Sequence, residues 1–166
     1  MRVLVAYASK HGSTRGIAEA IVDRLCERSI GAEAASVDQV DDVRDYDVVV
    51  LGSAIYAGSW MRSAVDFAER NREALRRVPV WLFSSGPLGT EVKGADEQPK
   101  QVSALRDTLH PCGYRLFCGA LDRARPSLPE GMIAKAVRAP EGDFRDWDGI
   151  GRWVDEIARS FIGSAA

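Results

Sequence analysis

Cysteine is scarce: Cys26, Cys112 and Cys118 are the only three in 166 residues. An odd number without metal-ligand spacing, in a chain of this length, excludes a disulfide framework and points to a reducing cytoplasm. Charge of one sign is also lacking. With 22 Lys and Arg against 24 Asp and Glu, the formal net charge is -2, so no whole-protein field draws the chain to nucleic acid. No apolar run approaches the roughly 20 residues of a spanning helix, and Val3–Ala8 is too short for the apolar region of a targeting segment. Two phosphate-binding loops are missing as well. No lysine follows Gly12 or Gly16, which excludes a P-loop, and the same stretch has too few glycines for G-x-G-x-x-G.

What is present is the composition of one globular domain over residues 1–166, 46% hydrophobic and 28% charged. Short apolar runs at Val3–Tyr7, Val48–Leu51 and Val80–Phe83 have the length and β-branched content of strands buried on both faces. Glu33–Val37 and Arg115–Ala120 are weaker strand candidates. Between them lie segments of helical period: Ile17, Ile21 and Leu25; Met61, Val65 and Ala68; Val102, Leu105 and Leu109; and the stripe Trp147, Ile150, Trp153, Val154, Ile157 and Phe161, with Asp146 as N-cap. Strand then helix, five times over, predicts an α/β three-layer doubly wound sandwich around a five-stranded parallel sheet of order 2-1-3-4-5. Sites in such sheets lie beyond the carboxyl ends of the strands, where the order reverses. The loops after Tyr7, Leu51 and Phe83 are therefore the candidates.

The first of them reads Ser9-Lys10-His11-Gly12-Ser13-Thr14. A strand followed by a helix N-terminus exposes unpaired N–H groups and a partial positive charge, and hydroxyls around one turn glycine suit a terminal monophosphate. The plainer reading is that Ser13 or Thr14 only caps the helix. The loop resembles the S/T-x-T-G-x-T phosphate loop of the flavodoxins, matched at Ser9, Gly12 and Thr14. His11 stands where that family usually has threonine, and its imidazole can itself donate to phosphate. The resemblance implies a flavodoxin-like fold and noncovalent flavin mononucleotide (FMN).

In the second loop, Ser53, Ala54, Ile55, Tyr56, Gly58 and Trp60 combine small residues with two aromatics. The flavodoxin resemblance places this loop against the flavin ring, with Tyr56 and Trp60 as stacking candidates; Trp60 also reads as the first apolar residue beneath the following helix. The third, Ser85, Gly86, Pro87, Leu88 and Gly89, has turn composition, and by the same resemblance offers backbone groups to the ring edge. Three loops at the three switch-point positions reinforce one another.

The second half narrows the resemblance. Phe117-Cys118-Gly119-Ala120-Leu121, a basic and proline-containing stretch, and then Gly142-Asp143-Phe144-Arg145-Asp146-Trp147 are similar to the flavodoxin-type, quinone-dependent protoporphyrinogen dehydrogenases. That implies a porphyrinogen substrate and a quinone acceptor. A flavodoxin carrier working between a reductase and a redox-partner protein is the alternative, and a binding module without flavin a third. The inserted segment, about 121–145, reads either as a lid or shallow membrane foot or as plain packing on the domain. No general acid or base stands out, since the flavin would carry the chemistry. His110 reads as a helix C-terminal cap and Cys118 as a buried thiol. A receiver-type signalling module would need carboxylates at the strand ends, which here read Tyr7-Ala8-Ser9 and Leu51-Gly52-Ser53.

Overall fold

Alternation along the central strands sets the architecture. In the computed structural model, which describes residues 1–86, 98–121 and 142–163, Val3 and Val5 of β1 (Arg2–Ala8) face one side and Leu4 and Ala6 the other. In β3 (Val48–Tyr56), Val48 and Val50 likewise oppose Val49 and Leu51. Both faces are apolar, so both are covered. Helix α1 (Ser13–Glu27) brings Ile17, Ile21 and Leu25 to the first face, joined by Ile150, Trp153 and Ile157 of α5 (Trp147–Gly163). On the second face lie α2 (Arg62–Arg70), α3 (Arg72–Leu75) and α4 (Lys100–Leu109), through Phe67, Leu75, Val102, Leu105 and Leu109.

The parallel strands run in the order β2 (Gly31–Ser36), β1, β3, β5 (Val80–Ser85) and β6 (Gly113–Phe117). Counted as the five parallel strands alone, that is the expected order 2-1-3-4-5. Two short pieces add to it: β4 (Ser59–Trp60) pairs antiparallel with β3, and β7 (Ala120–Leu121) pairs with β8 (Gly142–Asp143) in a separate ribbon. Trp153, Phe117 and Phe83 form an aromatic cluster under the first face, with ring centroids 5.5–6.2 Å apart. Such tilted pairs contribute about 0.5–1.5 kcal/mol each beyond burial.

Asp146 caps α5 as expected, its Oδ1 accepting the Gly149 N–H at 2.8 Å. His110 ends α4 in the left-handed region, φ 48°, with its N–H on the Arg106 carbonyl. Three expectations change. The strand read as Arg115–Ala120 ends at Phe117, because the chain leaves the sheet at Cys118 and Gly119 to form the ribbon. Trp147, placed in the apolar stripe, is 45% exposed: it is the first residue after the cap, and burial begins at Ile150. The inner face of α2 is Ala64, Phe67 and Ala68, with Met61 and Val65 only partly covered. Most of the inserted segment, residues 122–141, lies outside the described residues.

Candidate functional site

The carboxyl ends of β1, β3 and β5 meet at the N-terminus of α1. After Ala8 the chain turns through Ser9, whose Oγ accepts the Gly12 N–H at 3.1 Å. Gly12 has φ 88°, a conformation that costs an L side chain about 1–2 kcal/mol. Among the described residues no side chain caps α1, and its first turn contains no acidic residue. Within that turn Thr14 is fully buried, and its Oγ1 has no hydrogen-bond partner among the described residues. A buried hydroxyl left unpaired costs about 1–3 kcal/mol. An uncapped N-terminus with an unsatisfied hydroxyl inside it has the donor set for an oxyanion. Those donors fit a phosphate monoester.

Lys10 is exposed, and His11 turns toward the second segment, meeting the Tyr56 ring edge-on with centroids 6.1 Å apart. Tyr56 is half-buried and burial raises its phenol pKa. Here the sequence expectation of a loop is corrected, because Ser53, Ala54, Ile55 and Tyr56 continue β3 as strand. They turn through Ala57 and Gly58, φ 49° and 76°, into β4. Positive φ at both central residues is what a type I′ hairpin requires. Gly58 is at the exposed tip.

The third segment closes against both. Ser85 Oγ lies 3.5 Å from Ser13 Oγ, and Gly86 approaches Ile55 so closely that a Cβ on it would stand 2.8 Å from that of Ile55. The Gly86 N–H already donates to the Phe117 carbonyl at 3.1 Å. Gly86 therefore gives room rather than a free amide. Pro87, Leu88 and Gly89 lie outside the described residues.

Comparison with known proteins agrees with this fold. The sequence model of the flavodoxin domain matches residues 4–148. The chain belongs to the flavodoxin domain family. A protoporphyrinogen IX dehydrogenase (quinone) of Escherichia coli (strain K12) is 24% identical over 174 residues, which cover 95% of each protein. Among solved structures, the rubredoxin oxygen:oxidoreductase of Desulfovibrio gigas superposes with TM-score 0.66 at 10% identity, covering 99% of this chain and 37% of that longer one. A flavoprotein in complex with FMN from Lactobacillus acidophilus gives TM-score 0.54 at 16% identity, with 69% and 92% covered.

Within this flavodoxin domain several residues singled out in the sequence are buried. Trp60 is only 4% exposed; its ring belongs to the core of the second face, and its Nε1–H donates to Ser84 Oγ at 2.7 Å. It does not present a face beside Tyr56, because that hydrogen bond and the core hold it down. Ser53 is fully buried and serves the backbone: its Oγ accepts the Met61 N–H at 3.0 Å and donates to the Ala54 carbonyl at 2.8 Å. Cys118 is 7% exposed, and burial, then the Asp146 charge, raise its thiol pKa. It is held protonated, the reverse of an activated nucleophile.

Sequence reasoning missed two polar nodes. Ser84 Oγ accepts from Trp60 and, at 2.9 Å, from the Tyr114 hydroxyl, fixing the end of β5 from below. Ser13 Oγ accepts the Ala120 N–H at 2.9 Å, which ties the first loop to the ribbon. Consecutive serines closing an apolar strand were the signal for the first; nothing local signalled the second, which spans 107 positions. Among the described residues no group of three or more His, Cys, Asp or Glu is placed to hold a metal, and no helix is long and apolar enough to cross a membrane.

Proposed function

We propose that this protein binds FMN noncovalently at the start of α1 and works as an oxidoreductase, specifically a protoporphyrinogen IX dehydrogenase that passes electrons to a quinone. The observation that carries the flavin reading is Thr14, a buried hydroxyl without a partner among the described residues, inside an uncapped helix N-terminus. When bound, the flavin supplies the electron and hydride transfer. The chain's own part is to hold and orient. Backbone N–H groups of the first turn and the Thr14 hydroxyl would take the phosphate, with His11 beside them. Tyr56, half-buried at the end of β3, would wall one side of the ring, and the Ser85–Gly86 turn would bound its edge. Lys10 remains in solvent, adding positive charge near the anion.

The dehydrogenase reading is favoured by the length over which the Escherichia coli relative aligns, 95% of both proteins. It is favoured also by the net charge of -2, too mild for a carrier steered to basic partners by an acidic surface.

The deciding experiment is the visible absorption spectrum of the purified protein and identification of the ligand released by heat. Flavin bands with released FMN are expected; a colourless protein that refuses added FMN would overturn the reading. Anaerobic reduction by protoporphyrinogen, then stopped-flow oxidation by a menaquinone analogue, tests the specific activity. Slow reaction with quinone but fast reaction with a protein partner would assign the carrier role instead.

A further inference from the structure

On the flavin reading above, we propose that Ser13 is a positioning residue whose hydroxyl couples occupancy of the phosphate loop to the β7–β8 ribbon. Three separate segments converge on this one oxygen. Ser13 is the first residue of α1, Ser85 Oγ at the end of β5 lies 3.5 Å away, and the Ala120 N–H at the start of β7 donates to it at 2.9 Å. Gly119 borders the same oxygen. A Cβ there would stand 3.4 Å from Ser13 Oγ and 3.5 Å from Ser85 Oγ, inside or at the edge of ordinary contact with both. Behind the node the backbone is already paired: Gly86 N–H to the Phe117 carbonyl and Phe144 N–H to the Gly119 carbonyl, 3.1 and 3.2 Å. A shift at Ser13 is thus passed to the ribbon.

A hydroxyl has one proton and two acceptor lone pairs. One lone pair holds Ala120. Among the described residues the proton's one neighbour is Ser85, at the outer limit of hydrogen bonding, so it can turn toward an oxyanion arriving at the α1 N-terminus. Donation to a charged acceptor polarises the oxygen and strengthens the bond it accepts from Ala120. Phosphate in the loop therefore tightens β7 against α1. The ribbon pairs Leu121 with Gly142, so these two flanking positions are registered to the cofactor site.

The test is hydrogen exchange at the Ala120 amide in the full chain, as apoprotein, with saturating FMN, and with saturating riboflavin, which has the ring but no phosphate. Occupancy is read separately from flavin absorbance. In the wild type, FMN is expected to slow Ala120 exchange by about twofold and riboflavin to leave it near the apoprotein rate. Ser13→Ala should speed exchange in the apoprotein and abolish the FMN response, while Ser13→Thr, which keeps the hydroxyl, should restore both. Equal protection by FMN and riboflavin, or an unchanged FMN response in Ser13→Ala, would overturn the coupling. Refusal of FMN by the wild type would sink the flavin reading and this coupling with it; FMN bound with Ala120 exchange unaltered would sink the coupling alone.

Discussion

The guanidinium of Arg145 lies 4.5 Å from the centroid of the Trp147 ring. The same group forks onto Asp143, with Nε to Oδ1 at 2.8 Å and Nη2 to Oδ2 at 2.6 Å, and it covers Gly16 in α1, where a Cβ would overlap it. One side chain thus joins the ribbon, the first turn of α1 and the start of α5. Its partner carboxylate sets a pH limit. The hydrogen bond from Arg145 holds the Asp143 pKa below its ordinary value, so the pair contributes above the ordinary carboxylate value of about 4 and is lost as pH falls through the depressed one. Trp60, Trp81 and Trp153 are buried, which leaves Trp147 as the accessible indole. Acrylamide quenching of tryptophan emission should rise below about pH 4, and Asp143→Asn should show that rise at pH 7. Quenching that stays flat until the whole protein unfolds would contradict this.

Trp60 and Tyr56 should separate stability from binding. Trp60→Phe removes a buried hydrogen bond to Ser84 and part of a ring from the core, so apoprotein stability should fall by about 2–3 kcal/mol with FMN affinity nearly unchanged. Tyr56→Leu should do the opposite, weakening FMN binding by about 1 kcal/mol at little cost to the apoprotein. Denaturant melts and flavin titrations of both variants decide it. A large affinity loss in Trp60→Phe would return that ring to the site.

The hairpin tip offers a stabilising change. Ala57 sits at φ 49° in a two-residue turn with Gly58, a conformation that asparagine tolerates better than alanine. Ala57→Asn should raise stability by about 1 kcal/mol, visible as a higher melting temperature of the apoprotein. No gain would mean that the turn relaxes without strain.

The parallel order and the start of α1 after β1 were legible because they rest on local signals: β-branched runs of strand length, helical period between them, and one glycine among hydroxyls. The cap at Asp146 and the helix end at His110 were legible for the same reason. What escaped was settled by partners far along the chain. Trp60 looks the same in sequence whether it faces a ligand or a core, and only Ser84, 24 positions away, decides that its indole N–H points inward. Ser13 reads as a phosphate hydroxyl, yet it also holds Ala120. The hairpin after Tyr56 was hidden because alanine, rather than asparagine or glycine, occupies its first positive-φ position.

Thr14→Val gives two effects of opposite sign. Valine is nearly isosteric with threonine and needs no partner, so replacing a buried hydroxyl that is unpaired among the described residues should make the apoprotein more stable by about 1 kcal/mol. The same change removes a donor to a charged phosphate, and FMN affinity should fall by about 1.5–3 kcal/mol. Riboflavin, which has no phosphate to lose contact with, should bind both proteins alike. A hydroxyl that merely sat in the helix would leave FMN affinity unchanged, and one that held the fold together would lower apoprotein stability on removal. Only a group placed for an anion and costly without one makes the apoprotein firmer and the FMN complex weaker together. Apoprotein melting and FMN and riboflavin titrations of this one variant therefore separate the three roles.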